Sequence, residues 1–215
     1  MRFPLPGRRP TRMTVGALVI LGLGLTGCGG TGSPSPSQPA QPAQQAPISA
    51  PSQPSGAKKN TLGRSPPVKI VISKIGVRAP ITTLGLKSNG SIEEPPLSKP
   101  NLTGWYRLGP TPGQKGPAVI AGHVDAHGSP AVFAELGKLR RGDRVEISRK
   151  DGSMAVFQID SIQRVPKNAF PTKKVYGDIA FPGLRLITCG GAFNKATGHY
   201  VDNVIAYGHL ISSRA

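Results

Sequence analysis

Residues 184–193 read LRLITCGGAF, an apolar run that passes through a cysteine into two glycines. The run from Leu184 to Cys189 has the length and the apolar, β-branched composition of a buried strand. Gly190 and Gly191 allow a ligand or another part of the backbone to approach closely. The segment therefore predicts a thiol, that of Cys189, at the end of a strand and beside a loop, where functional side chains concentrate.

Short segments of the same kind lie on both sides of this run and predict a mostly β domain from Val68 to the C-terminus. Strands are expected over residues 68–77, 82–86, 117–122, 144–148, 154–162, 184–189 and 203–210. Pro130–Leu139 is the best candidate for a helix, and Lys167–Pro171 for a short helical turn. About eight strands with little helix in a domain of this length predict a closed barrel or a sandwich around one core.

The chain has two cysteines, Cys28 and Cys189, too few for a disulfide-rich scaffold or a cysteine-based zinc module. An exported protein meets oxidising conditions, in which an unpaired thiol is a liability unless it is buried or used. If Cys28 is lipidated, Cys189 has no partner. The residues alone leave two interpretations open: Cys189 is a nucleophile, or it is a small buried hydrophobic residue.

A thiol nucleophile needs a base or a cationic partner, and His123 is the natural candidate among four histidines. It follows the predicted strand PAVIAG (117–122), so it meets Cys189 if the two strand ends meet. His209, inside the last predicted strand, is expected to be structural. The spacing of His123, Asp125 and His127 could ligate a metal, but no further cluster supports this, so neither a metal nor a cofactor is expected.

The N-terminal residues 1–28 are typical of an export signal. A basic stretch, Arg2 to Arg12, precedes an apolar run from Val15 to Leu25 that is short for a membrane-spanning helix. The run ends in Leu-Thr-Gly-Cys, which resembles the bacterial lipobox, whose cysteine becomes the lipidated first residue of the mature chain. Cys28 is therefore the predicted lipidation site. The alternatives are an uncleaved membrane anchor and an ordinary signal peptide with a chance cysteine.

Residues 29–67 are dominated by Pro, Ser, Gln, Ala and Gly, with seven prolines between Pro34 and Pro54. Such a segment cannot bury enough apolar surface to offset its ordering entropy, and its prolines favour extended conformations. It is predicted to be a disordered linker that holds the domain, residues 68–215, away from a membrane.

The basic charge is divided between the N-terminal region and the domain. The chain carries 27 basic and 10 acidic side chains, a formal charge of +17. Seven basic groups and no acidic one lie in residues 1–67, which leaves +10 on residues 68–215. The predicted export signal disfavours nucleic acid as a partner. The sequence also shows no basic helix and no aromatic platform of the kind that binds nucleic acid. An anionic cell wall suits this charge better.

Several of these segments together carry a family resemblance. They are GWY (104–106), GPAVIAGHVD (116–125), SPAVFAEL (129–136), GDRVEI (142–147), FPTKKVYG (170–177), LRLITCGGAF (184–193) and GHYVDNVIAY (198–207). In this order they resemble the sortases, and most closely the class F sortases of actinobacteria. The most specific feature is a Thr-Cys pair that closes an apolar strand some 65 residues after a Gly-His-x-Asp segment.

The resemblance implies an eight-stranded sortase β-barrel in which Cys189 carries the acyl group and His123 is its acid–base partner. Sortases cleave LPXTG-type sorting signals between Thr and Gly through a thioester. An amine, typically on a peptidoglycan precursor or a pilin lysine, then resolves the thioester. The implied location is the extracellular face of a Gram-positive cell membrane, with the N-terminal lipid as the anchor.

One position departs from the family pattern. Sortases usually carry an arginine in the strand after the cysteine, but this chain has none between Cys189 and Val204. His199 and Asn203 are candidate donors in its place. Arg185 shares strand parity with Cys189, although four residues along a strand span about 13 Å. The third catalytic role therefore stays unassigned among His199, Asn203 and Arg185.

Two other functions compete with this interpretation. An L,D-transpeptidase also pairs a histidine with a later cysteine, but its cysteine lies in a Ser-x-Gly-Cys setting that Ile187-Thr188-Cys189 does not match. A non-catalytic surface lipoprotein that binds wall polymer or peptide needs only the charge of the domain.

Overall fold

The computed structural model describes residues 61–214, so the predicted signal, Cys28 and most of the predicted linker lie outside the described residues. The strands are β1 (Pro67–Ile72), β2 (Val77–Leu84), β3 (Thr103–Tyr106), β4 (Gly116–Gly122), β5 (Asp125–Ala126), β6 (Ser129–Pro130), β7 (Arg144–Arg149), β8 (Met154–Pro166), β9 (Pro182–Asn194) and β10 (His199–Arg214). One α-helix, α1 (Thr172–Tyr176), and three 3₁₀ turns, Ser73–Ile75, Leu136–Lys138 and Lys167–Ala169, join them. None of the helices in this part of the chain is long and apolar enough to span a membrane.

Eight strands close into a barrel in the order β1-β2-β3-β4-β9-β10-β8-β7. Most neighbours are antiparallel, but β2 pairs in parallel with β3, and β4 in parallel with β9. The strands β5 and β6 form a separate small hairpin after β4. The predicted mostly β, eight-stranded barrel is confirmed.

Strand β4 shows how the barrel buries side chains on both of its faces. All seven of its residues are buried. Ala118 and Ile120 join the cluster to which all eight barrel strands contribute, which is the barrel interior. Val119 and Ala121 join a second cluster on the outer face, covered by Phe170 and by Val175 of α1. A strand covered on both faces has no polar alternation, as the sequence PAVIAG shows.

The prediction that a strand ends at Cys189 is wrong, because β9 continues to Asn194. The pairing with β10 shifts by one residue just beyond the cysteine: Gly190 pairs with Asp202, but Phe193 pairs with Tyr200. Gly191 lies in this bulge with φ +77°, and a Cβ there would come within 2.4 Å of the Asp202 carboxylate. The bulge redirects the strand right after Cys189, as bulges next to active sites do.

The predicted helix over Pro130–Leu139 is also wrong. Ser129–Pro130 belongs to the β5–β6 hairpin, and the residues that follow form successive tight turns that end in the 3₁₀ turn at Leu136–Lys138. Tertiary hydrogen bonds hold this segment: Val132 N donates to Pro100 O at 2.9 Å, and Phe133 N to His123 O at 2.9 Å. The predicted helical turn near Lys167–Pro171 is confirmed as the 3₁₀ turn Lys167–Ala169.

Candidate active site

The parallel pairing of β4 with β9 brings the thiol and the imidazole to the same level of the barrel. Ala121 is paired with Ile187; Cys189 follows Ile187 by two residues on β9, and His123 follows Ala121 by two residues, directly after β4. Because neighbouring parallel strands carry their carboxyl ends to one edge, the two side chains converge. Both line a single cavity of about 270 Å³ on the outer face of the barrel. The structure thus places Cys189 and His123 on the wall of one cavity.

Cys189 is 9% exposed and lies on β9 directly opposite Asn203 of β10. Burial raises the pKa of its thiol, because a thiolate loses hydration in a poorly polar environment. The positive charge of Lys167 acts in the opposite direction on this pKa. The thiol is thus shielded from bulk water and has one cationic side chain beside it.

His123 is 8% exposed. Hydrogen bonds hold both its side chain, at Pro95 O, and its backbone carbonyl, which accepts from Phe133 N. Its Nε2 lies 2.6 Å from Pro95 O, and a carbonyl can only accept, so Nε2 carries the proton in the neutral ring. Nδ1 is then the nitrogen that can accept a proton. A Cβ on the preceding Gly122 would lie 2.7 Å from Phe133 and Val132, so the close packing there requires glycine.

The loop between β2 and β3 closes one side of the cavity, and sequence reasoning missed it. Besides Pro95, which accepts from His123, this loop contributes Glu94 and Leu97 to the cavity wall. Glu94 forms an ion pair with Lys87 at 3.4 Å, and the Glu93 carboxylate accepts from Gly85 N at 2.6 Å. The run Glu-Glu-Pro-Pro carries no pattern that would have assigned it to the site.

Of the three candidate donors, Asn203 lies nearest to Cys189. Directly opposed residues of antiparallel strands have Cβ atoms about 4.5–5.5 Å apart on the same face of the sheet. Asn203 is fully buried, and neither atom of its amide has a hydrogen-bond partner among the described residues. A buried amide without partners is costly, although Asn203 does not itself line the cavity.

The other two candidates lie farther from the thiol. His199 begins β10, is exposed, and lines the rim of the cavity. Arg185 is buried elsewhere: its guanidinium donates to Lys174 O at 3.3 Å and to Leu184 O at 2.9 Å, and lies 5.0 Å from the centre of the Tyr207 ring. The structure does not place Arg185 on the cavity wall.

The remaining walls of the cavity include two aromatic rings that face each other across the β9–β10 pair. Phe193 and Tyr200 have ring centroids 5.2 Å apart in an edge-to-face arrangement, and Phe193 is 51% exposed. They offer an apolar surface to an extended peptide.

The residues of the His123, Asp125 and His127 spacing lie after β4 and in the β5–β6 hairpin. Within residues 61–214 no group of three or more His, Cys, Asp or Glu side chains is arranged to hold a metal ion. Asp125 lies on β5, and His127 turns the β5–β6 hairpin with φ +52°, next to Gly128 at φ +78°. Positive φ at both central residues is typical of a type I′ hairpin turn. His209, expected to be structural, pairs with Asp160 at 2.7 Å.

The molecule is thus a closed eight-stranded β-barrel in which a buried thiol and an imidazole line one cavity. The family model for the sortase domain matches residues 70–211. The chain therefore belongs to the sortase family. Among curated proteins, no sequence matches the chain significantly.

Solved sortase structures share the fold at low sequence identity. Streptococcus agalactiae sortase C1 is 18% identical, with a TM-score of 0.53 over 67% of this chain and 66% of that one. Actinomyces oris sortase C-1 is 20% identical, with a TM-score of 0.53 over 67% and 73%. Corynebacterium diphtheriae sortase A is 20% identical, with a TM-score of 0.52 over 69% and 62%. The aligned part thus spans about two thirds of the length of these relatives.

Proposed function

We propose that this protein is a class F-type sortase, a cysteine transpeptidase that cleaves LPXTG-type sorting signals and transfers the acyl group to an amine. The observation that carries the proposal is the convergence of Cys189 and His123 on one cavity of a sortase barrel. The apolar wall formed by Phe193 and Tyr200 supports an extended peptide as the substrate.

The first half of the proposed reaction makes a thioester. The thiolate of Cys189 attacks the carbonyl carbon of the sorting-signal threonine, and the carbonyl π electrons move onto oxygen. When the tetrahedral intermediate collapses, the C–N bond to glycine breaks, and protonated His123 gives its proton to the leaving amine. A buried thiol suits this step, because an environment with little water limits premature hydrolysis of the thioester.

The second half transfers the acyl group. Neutral His123 takes a proton from the incoming amine, whose nitrogen attacks the thioester carbonyl. The C–S bond then breaks and the sulfur leaves as the thiolate. The product, in which a new amide bond joins the acyl group to the amine, is released. Nδ1 is the ring nitrogen that accepts this proton, since Nε2 donates to Pro95 O.

The proposal is tested by incubating the purified protein with a panel of fluorogenic LPXTG-type peptides, with and without an amine such as triglycine. We expect cleavage between Thr and Gly and, with the amine, a transpeptidation product visible by mass spectrometry. A peptide with the same residues in scrambled order is the control. Absence of cleavage across the panel, by protein with an unchanged thermal melting curve, would support the non-catalytic lipoprotein instead.

Asn203 is the proposed donor to the oxyanion or to the substrate backbone. We expect Asn203→Ala to lower kcat on the order of 10²-fold, the usual effect of losing one such donor. His199→Ala is the comparison: His199 is exposed at the rim, so we expect a change of less than about fivefold. Steady-state kinetics with the cleaved peptide measure both variants, and equal losses would contradict the assignment of Asn203.

The location is also a proposal: the mature chain starts at a lipidated Cys28 and lies on the extracellular face of a Gram-positive membrane, with residues 29–67 as a spacer. The order of basic, apolar and small residues before Cys28 supports this. Mass spectrometry of the membrane-extracted N-terminus tests it. A chain that retains an unmodified residue before Cys28 would contradict lipidation.

A further inference from the structure

The buried thiol needs a positive charge that its own strand pair does not supply. A thiolate with 9% exposure has lost most of its hydration, and its pKa is raised by burial. The segment from Cys189 to Val204 contains no arginine, and Arg185 is engaged with Tyr207 and two carbonyls. Lys195, the lysine of that segment, does not line the cavity, so a lysine or arginine beside the thiol comes from another part of the barrel.

The ladder of β9, β10 and β8 indicates where it comes from. Cys189 pairs with Asn203, and Asn203 pairs with Val165, so the three side chains form one row on the outer face. Lys167 follows Val165 by two residues and opens the 3₁₀ turn directly after β8. Two strand spacings of about 4.8 Å separate the outer members of the row. The flexible four-carbon stem of lysine can bridge such a gap.

The side chain of Lys167 does reach the site. It lines the same cavity as Cys189 and His123 and is the single lysine or arginine on that wall among residues 61–214. Its positive charge lowers the pKa of Cys189, against the effect of burial. The 3₁₀ turn Lys167–Ala169 directs it there, at the point where β8 ends.

We propose that Lys167, reaching across β10 from the end of β8, is the cationic partner that stabilises the Cys189 thiolate in this protein. In the reaction it would also lie beside the negative charge that develops on the scissile carbonyl oxygen. Its catalytic consequence rests on the proposed function, but its effect on the thiol does not.

Other charged or titratable groups face the same thiol. Glu94, on the loop between β2 and β3, raises the pKa of Cys189 by charge repulsion, so it opposes Lys167. The cavity wall also carries His123 after β4, Asp125 on β5, His127 in the β5–β6 turn, and His199 and Tyr200 on β10. Removing Lys167 takes away the charge that lowers the Cys189 pKa while burial and Glu94 still raise it, so the pKa rises further and the thiolate fraction at neutral pH falls.

The experiment measures alkylation of Cys189 by iodoacetamide between pH 5 and pH 10. It uses the full-length protein in a Cys28→Ser background, which leaves one thiol. We expect Lys167→Met to move the alkylation profile to higher pH and to slow alkylation at pH 7 about tenfold, the effect of one pKa unit. Lys167→Arg, which keeps the charge, is expected to stay near wild type.

Lys195→Met is the matched control. It removes the same charge from the turn between β9 and β10, away from the cavity wall, and we expect no shift. If Lys167→Met does not keep the wild-type melting curve, Lys167→Gln replaces it. An unchanged alkylation profile in a folded Lys167 variant would overturn the inference, as would an equal shift in Lys195→Met. A shifted profile in a protein that cleaves no sorting peptide would leave the inference standing and refute only the proposed function.

Discussion

Replacing Cys189 with alanine is expected to abolish both cleavage and transfer, with a loss on the order of 10⁴-fold or more in kcat/KM. The reason is that the acyl group has no other nucleophile: among residues 61–214 Cys189 is the one free cysteine. The measurement is peptide cleavage followed over hours, together with mass spectrometry of the protein. Wild type is expected to gain the mass of the acyl fragment on Cys189 when the amine is left out, and Cys189→Ala to gain none.

Cys28→Ser is the natural comparison, since it removes the other cysteine of the chain. With a soluble peptide substrate we expect it to keep the wild-type rate, because lipidation bears on location and not on the thioester. Thermal melting checks that the variants remain folded. Cys189→Ala shortens a small buried side chain, so we expect its free energy of unfolding to fall by about 1 kcal/mol. Cleavage that survives in a folded Cys189→Ala variant would refute the thioester mechanism.

The sequence predicted a mostly β domain, as a barrel or a sandwich, and named His123 as the partner of Cys189 if their strand ends meet. Two apolar runs, 117–122 and 184–189, could be read as buried strands because both faces of β4 and β9 pack into apolar clusters. The first run is followed directly by His123, and the second ends at Cys189. Once such strands lie side by side in parallel, the register alone sets His123 level with Cys189.

What the sequence did not reveal depends on contacts between distant segments. The strand over 184–189 was expected to end at the glycines, but cross-strand hydrogen bonds to β10 carry it on to Asn194. The apolar spacing in 130–139 favours a helix, yet hydrogen bonds to Pro100 and His123 hold the segment in turns. Tertiary contacts override local propensity in both cases.

The same limit applies to the site. Lys167 lies 22 residues before Cys189, and Pro95 lies 28 residues before His123, so no local motif connects either pair. Asn203 could be named as a candidate because it lies in the strand after the cysteine. The structure adds that Asn203 is fully buried and that its amide has no hydrogen-bond partner among the described residues. It also places Asn203 between Cys189 and Val165 in the sheet.

The second large effect is expected at His123. Changing it to alanine removes the proton donor to the leaving amine and the acceptor from the incoming one, and we expect kcat/KM for a peptide to fall about 10³- to 10⁴-fold. An activated ester of the same acyl sequence has a leaving group that needs little protonation. With the ester, the rate of thioester formation in His123→Ala is therefore expected to be only about tenfold below wild type. Pre-steady-state release of the leaving group measures this rate.

This contrast between amide and ester separates acid catalysis from a merely structural role, which would lower both rates equally. His209→Ala is the matched control. His209 lies on β10, pairs with Asp160 and is not part of the cavity wall. We expect it to keep the wild-type rate on both substrates. Equal losses with peptide and ester in His123→Ala would indicate that the ring only positions Cys189 and the loop at Pro95, and the proton transfers would then have to be assigned to another group.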